Sequence, residues 1–89
     1  MNTEYQIEYT PTFAKHYKKL PLVIRKKAER KELVLRENPF SPNLRTHKLN
    51  GILANYWSFS IDYQYRIVFR LVKPRQIVLI DVGTHEVYQ

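Results

Sequence analysis

The chain has 89 residues, of which 44% are hydrophobic and 26% charged, a composition typical of one folded domain rather than a disordered segment. It has no cysteine, which excludes disulfides and thiolate metal sites, and its two glycines are too few for a glycine-rich nucleotide loop. No apolar run approaches the roughly 20 residues of a membrane span, and the first residues do not form a signal peptide. We therefore expect one cytoplasmic domain over residues 1–89, with no membrane association.

Charge is concentrated in one part of the chain. Fifteen Lys and Arg residues against eight Asp and Glu residues give a net charge of +7. The excess lies in residues 11–36, which carry nine basic residues and two acidic ones. Such a segment is typical of a surface that binds nucleic acid or an acidic protein. It is equally typical of a solvated lysine face, and charge alone does not choose between these interpretations.

The first part of the chain predicts one strand and two helices. An alternating stretch over residues 5–9 predicts a half-buried strand. Thr10 and Pro11 follow as the N-cap and the first residue of a helix. The predicted buried face of this helix carries Phe13, Tyr17 and Leu20. Residues 22–37 contain neither glycine nor proline and predict a longer helix. Its predicted inner face carries Ile24, Ala28 and Leu35, and its outer side Leu22 and Leu33.

The residue pattern of the rest of the chain predicts strands. We predict strands over residues 44–49, 56–61, 65–71 and 77–80, separated by turns at Asn50-Gly51, Asp62-Tyr63 and Lys73-Pro74-Arg75. Gly83 is expected to end the last strand. The order β-α-α-β-β-β-β indicates an α+β fold, in which two N-terminal helices pack on one face of a curved, mainly antiparallel sheet. The other face of the sheet would then be open as a binding surface.

Four stretches, in this order on a short basic chain, make the sequence similar to a known family. They are THKLNG at 46–51, YWSFSI at 56–61, YRIVF at 65–69 and DVGTHEVY at 81–88. With the order of elements, they resemble the RelE/ParE superfamily of toxins from bacterial type II toxin–antitoxin pairs. Within it they are most similar to the RelE branch and its YafQ-like and YoeB-like relatives. The resemblance implies the RelE-like microbial RNase fold over nearly the whole chain.

The resemblance also implies an activity and partners. It implies an mRNA interferase, that is, a ribosome-dependent endonuclease that cuts mRNA and so inhibits translation. The implied partners are the ribosome, mRNA and a cognate antitoxin that binds the toxin in a heteromeric complex. No cofactor is expected, because the chain has no HExxH motif and no clustered carboxylate pair that would hold a metal.

Several residues match the positions that carry function in the family. The catalytic positions fall on His47, Arg66, His85 and Tyr88, and a substrate-binding lysine falls on Lys48. Ser58, Ser60 and Gln64 stand where YafQ-like proteins have further acidic and histidine residues, which favours a mixed site of two histidines and one arginine. The lysines expected to contact ribosomal RNA or the antitoxin, on helices facing away from the site, are Lys18, Lys19, Lys26, Lys27 and Lys31.

The chemistry of these residue types fits RNA cleavage by its own 2′-hydroxyl. A base removes the hydroxyl proton, an acid protonates the leaving 5′-oxygen, and cations stabilise the phosphate charge. His47 and His85 can supply the base and the acid near neutral pH, and which takes which role stays open. Arg66 would bind phosphate bidentately, and Tyr88 would stack on a base or orient the phosphate.

Each assignment has a structural alternative. His47 could be a surface strand residue, His85 a tail residue, and Arg66 the partner of an acid at Asp62 or Asp81. At the level of function, a ParE-type inhibitor of DNA gyrase shares the fold without a nuclease site, and a plain RNA-binding domain would use only the basic helices. The histidine–arginine set argues against the gyrase inhibitor, because a binding module does not need it.

Overall fold

The fold comes from a computed structural model that describes residues 4–51 and 55–84. Its elements are β1 (Gln6–Tyr9), α1 (Pro11–Lys18), α2 (Leu22–Glu37), a 3₁₀ turn (Pro42–Leu44), β2 (His47–Lys48), β3 (Trp57–Ser60), β4 (Tyr65–Val72) and β5 (Gln76–Thr84). The predicted order of strands and helices is confirmed. Neither helix of the described ranges is long and apolar enough to cross a membrane.

The five strands form one mixed sheet in the order β1-β5-β4-β3-β2. β1 pairs with β5 in parallel, and the three other pairs are antiparallel, which confirms the mainly antiparallel sheet. The β4–β5 register shifts between Val68, which pairs with Asp81, and Phe69, which pairs with Leu79. Ile80 is therefore an extra residue in β5, a bulge of the kind that bends a strand and increases its twist.

The start of α1 is anchored by a side-chain cap. The Phe13 amide donates to Thr10 Oγ1 at 3.0 Å, and the same hydroxyl donates to the Ile80 carbonyl at 2.8 Å. Thr10 thus satisfies one free amide of the helix and joins it to β5. Of the predicted inner face, Phe13 is 2% exposed and Tyr17 packs partly buried against the core, while Leu20 is buried but lies beyond the end of α1 at Lys18.

The core lies between the helices and one face of the sheet. Ile24, Ala28 and Leu35 of α2 are buried, as predicted, while Leu22 and Leu33 are 59% and 65% exposed. From the sheet, the core receives Phe59, Ile67, Phe69, Ile77 and Leu79, all 0% exposed. These residues alternate along their strands, so each strand turns its apolar side toward the helices.

Three expectations about the second half of the chain were wrong. Residues 44–49 are not a continuous strand, because Pro42 starts a 3₁₀ turn and only His47–Lys48 pairs with β3. Gly83 does not end the last strand but pairs with Arg66 inside β5. The face of the sheet away from the helices is not uniformly open, since Ser58, Ser60 and Val68 are all buried there.

Candidate active site

A cleft of about 540 Å³ opens beside the turn that joins β3 to β4. Side chains from α2, the segment after the 3₁₀ turn, β2, β3 and β4 line it, among them Lys31, Arg45, His47, Ser60 and Arg66. His47 and Arg66, two of the four predicted catalytic residues, therefore lie in one cleft. The other two, His85 and Tyr88, lie outside the described residues.

Arg66 occupies the interior of β4 and points away from the core, since its neighbour Ile67 is on the core side. Its Nη1 donates to Ser60 Oγ at 2.7 Å across the β3–β4 pair. Its Nε is buried without a hydrogen-bond partner. The backbone of Gly83 pairs with Arg66 on the other side. The guanidinium is thus held in one place by Ser60 and keeps donors available for an anion.

The ion pairs considered for Arg66 do not form in the described structure. Asp81 Oδ1 lies 2.5 Å from His16 Nδ1 of α1. Asp62 Oδ1 accepts from the backbone amides of Gln64 and Tyr65, both at 2.8 Å, which closes the β3–β4 turn predicted at this position. Both carboxylates therefore have structural partners of their own, and neither forms a salt bridge with Arg66.

His47 lies on the exposed edge strand β2, paired with Ser58. Its Nδ1 is 3.3 Å from the carbonyl oxygen of Arg45. A carbonyl only accepts, so this contact is a hydrogen bond when Nδ1 carries the proton. In that tautomer Nε2 has a lone pair and can accept a proton, as a general base must.

Arg45 and Lys31 are cleft residues whose role the sequence did not reveal. Arg45 has the left-handed φ of 54° and ends the 3₁₀ turn, with its amide donating to the Pro42 carbonyl at 3.2 Å. Nothing in the sequence marks this conformation, because arginine rarely adopts it. Lys31, expected on a surface facing away from the site, instead lines the cleft and donates to the Asn43 carbonyl at 2.9 Å.

The remaining predicted binding lysines lie elsewhere. Lys48 pairs with Trp57, a residue packed against the core, and so points to the opposite side of β2 from His47. It does not line the cleft. Lys18, Lys19 and Lys26 are exposed on or beside the helices, and Lys27 lies in a neighbouring cavity. Among residues 4–51 and 55–84, no three His, Cys, Asp or Glu side chains are grouped to hold a metal ion.

A second polar contact lies apart from the cleft, between β1 and α2. The Tyr9 hydroxyl donates to Glu32 Oε1 at 3.0 Å. Tyr9 is 53% exposed, and the partial burial of its ring, followed by the negative charge of Glu32, raises the pKa of Tyr9 to about 12. Burial also raises the pKa of Glu32, although the hydrogen bond from Tyr9 works in the opposite direction. This pair joins the first strand to the second helix.

Two helices on a mixed five-stranded sheet are the fold of RelE-like toxins. The chain is similar to the RelBE2 toxin–antitoxin complex of Mycobacterium tuberculosis (TM-score 0.79, 22% identity, 93% of this chain and 100% of the other). It is also similar to the YoeB/ParE toxin of Agrobacterium tumefaciens (TM-score 0.78, 20% identity, 90% and 98%). A third similar structure is the E. coli DinJ–YafQ toxin–antitoxin complex (TM-score 0.72, 16% identity, 97% and 99%).

The family follows from the sequence match. Residues 5–88 match the family described as the bacterial toxin of type II toxin–antitoxin systems, YafQ. The chain belongs to this family, which confirms the resemblance to the RelE superfamily and its YafQ-like members. No curated protein matches the chain.

Proposed function

We propose that this toxin is a ribosome-dependent mRNA endonuclease that works in the cytoplasm without a metal and is neutralised by a cognate antitoxin. The observation that carries the proposal is the cleft in which Arg66, anchored by Ser60, lies together with His47. The family match supports a toxin, and the similar structures include toxin–antitoxin complexes. The residue types in the cleft support the proposed cleavage reaction.

In this mechanism Arg66 binds the scissile phosphate. Its Nη donors that Ser60 does not use would bind the phosphate oxygens, and no carboxylate of the described residues competes for them. As the 2′-hydroxyl attacks phosphorus, negative charge grows on the non-bridging oxygens, and a fixed cation lowers the barrier to that step. Because Ser60 holds the guanidinium beforehand, little reorganisation is needed when the charge develops.

His47 acts as the base. With its Nδ1 proton donated to the Arg45 carbonyl, Nε2 takes the proton of the 2′-hydroxyl. The oxygen then bonds to phosphorus, and the 5′-oxygen leaves and takes a proton from an acid. His85 is the proposed acid, and Tyr88 the group that stacks on a base or orients the phosphate. The products are a 2′,3′-cyclic phosphate and a 5′-hydroxyl.

The proposed antitoxin would cover the outer side of α2. Leu22, Val23 and Leu33 are 59%, 60% and 65% exposed there, an unusual set of apolar side chains on a basic helix. A partner that packs apolar residues on them and places acids on the surrounding lysines would bury both features at once. Of the two rival functions, gyrase inhibition needs neither Arg66 nor His47 in the cleft, and simple RNA binding does not need a base at His47.

The test compares two neighbours on β2. His47→Ala should lower mRNA cleavage on purified ribosomes by about 10²–10⁴-fold, because a base is lost. Lys48→Ala is the matched control and should stay within a few-fold of the wild type, because Lys48 is on the other face of the strand. Cleavage should persist with a chelator while ribosomes are kept intact, and it should leave 5′-hydroxyl ends. Equal losses in both variants, 5′-phosphate ends, or a loss of DNA supercoiling in place of mRNA cleavage would overturn the proposal.

A further inference from the structure

A second cavity, of about 420 Å³, adjoins the cleft along α2. Both cavities are lined by Lys31, Asn43 and Ile61. The two cavities therefore adjoin, and together they are here called the basic track, which has Arg66 in one cavity, Lys27 and Arg30 in the other, and Lys31 in both. Lys31 is half-buried where the two parts meet, and its bond to the Asn43 carbonyl holds it there.

The charge of the basic track is mainly positive. Its basic side chains are Arg66, Arg45, Lys31, Lys27 and Arg30, with His47 beside them. Among the described residues that line it, Asp62 is the one acid, and the Asp62 carboxylate already accepts hydrogen bonds from two backbone amides. A groove lined in this way concentrates an anion along its whole length, not only at one point.

The helix distributes these charges in the direction of the track. Arg30 and Lys31 follow Lys27 by three and four residues, so both lie beside it on one face of α2. Four residues advance about 6 Å along the helix axis. Charges placed in sequence along a groove suit a chain of phosphates, whereas a single anion would use only one of them.

We infer that the substrate RNA continues from the cleft along the basic track, where Lys27 and Arg30 bind phosphates next to the scissile one. This inference rests on the proposed function and extends it, because it assigns part of the basic charge of α2 to the RNA that is cut. The lysines of α1 have no place in the track. The observations favour RNA over an acidic protein segment because the track begins at the proposed phosphate-binding arginine.

The experiment measures binding, not cleavage, and so does not depend on the reaction. The probe is a single-stranded RNA oligonucleotide with one 2′-deoxy nucleotide at the cleavage position, and its affinity for the isolated chain is measured over a series of salt concentrations. The variant is Lys27→Gln with Arg30→Gln. The matched control is Lys15→Gln with Lys73→Gln, which removes the same charge from exposed positions outside the track. Thermal unfolding confirms that all three proteins fold.

Loss of two phosphate contacts should lower the slope of log affinity against log salt by about 1.4, at roughly 0.7 for each contact on a single strand. The control should keep the slope of the wild type. Shortening the oligonucleotide to the nucleotides around the cleavage position should lower the slope of the wild type. It should leave the slope of the Lys27–Arg30 variant unchanged, because that variant has already lost the contacts to the removed nucleotides.

Two results would overturn the inference. Equal slopes for the variant and its control would mean that Lys27 and Arg30 are ordinary surface charges that do not contact the RNA phosphates. Unchanged RNA binding together with weaker binding of the purified antitoxin would assign the track to the protein partner. Neither result affects the proposed function, which stands or falls on cleavage by the His47 variant.

Discussion

Two serines on the same strand should respond in opposite ways to the same substitution. Ser58 and Ser60 both lie on β3, both face away from the helices, and they are 0% and 8% exposed. The Ser60 hydroxyl accepts from Arg66 Nη1 at 2.7 Å. The Ser58 hydroxyl is buried without any hydrogen-bond partner. An alanine in place of either one removes a single oxygen atom.

The structure sets the sign and size of each effect. Ser60→Ala removes the hydrogen-bond acceptor of the half-buried Arg66 guanidinium. This should lower the free energy of unfolding by about 1–3 kcal/mol. Ser58→Ala removes a polar group that is buried unsatisfied, so it should raise the free energy of unfolding by about 1 kcal/mol. In a domain of this size 1 kcal/mol corresponds to about 4–8 °C in Tm, so the two variants should differ by about 8 °C or more.

The assay is thermal unfolding followed by circular dichroism, with urea unfolding at 25 °C as an independent measurement. Cleavage activity gives a second readout, because only Ser60 positions Arg66. Ser60→Ala should lower activity at a temperature where the protein is fully folded, and Ser58→Ala should not. If both alanines destabilise the protein equally, the Ser60–Arg66 hydrogen bond does not hold the guanidinium, and the reasoning about the site is wrong.

Two further predictions concern the first strand and helix. Thr10→Ala should lower the free energy of unfolding by about 1–2 kcal/mol, because it removes both the cap of α1 and the bond to Ile80, whereas Thr10→Ser should retain most of the stability in the same urea titration. The absorbance of ionised tyrosine should show a group with a pKa of about 12 that is missing in Tyr9→Phe. Because this pKa is higher in the folded than in the unfolded chain, the stabilisation it gives is complete below pH 10 and is lost as the pH rises toward 12; a titration of Tyr9 at its ordinary value would contradict this.

The basic surface of this toxin divides into two parts that composition does not distinguish. Lys27, Arg30 and Lys31 adjoin the cleft, while Lys18 and Lys19 do not. The exposed apolar side chains Leu22 and Leu33 lie on the same helix as the first set. An antitoxin that packs on α2 would therefore sit beside the path proposed for RNA. Competition between the two ligands would then need no change in the chemistry of the cleft.

The elements that the residue pattern predicted well are those whose signals are local. Thr10-Pro11 marks the start of α1 because capping depends on neighbouring backbone groups. The inward positions of α2 follow from the helical period, and the alternation in β3 and β4 follows from the pleat of a strand. Arg66 could also be identified from the local pattern. An arginine inside an apolar strand needs an anionic partner or an open groove, because burying an unpaired charge is costly.

The composition of the cleft was decided by tertiary structure. Lys31, Arg45 and Ser60 belong to three different elements, and only the packing of α2 against the sheet, with the turn after Pro42, brings them to Arg66 and His47. The left-handed backbone at Arg45 and the burial of Ser58 depend on neighbours distant in the chain. Hydrogen bonds and charges act over a few ångströms in space, so residues far apart in the chain became one site only once the sheet had formed.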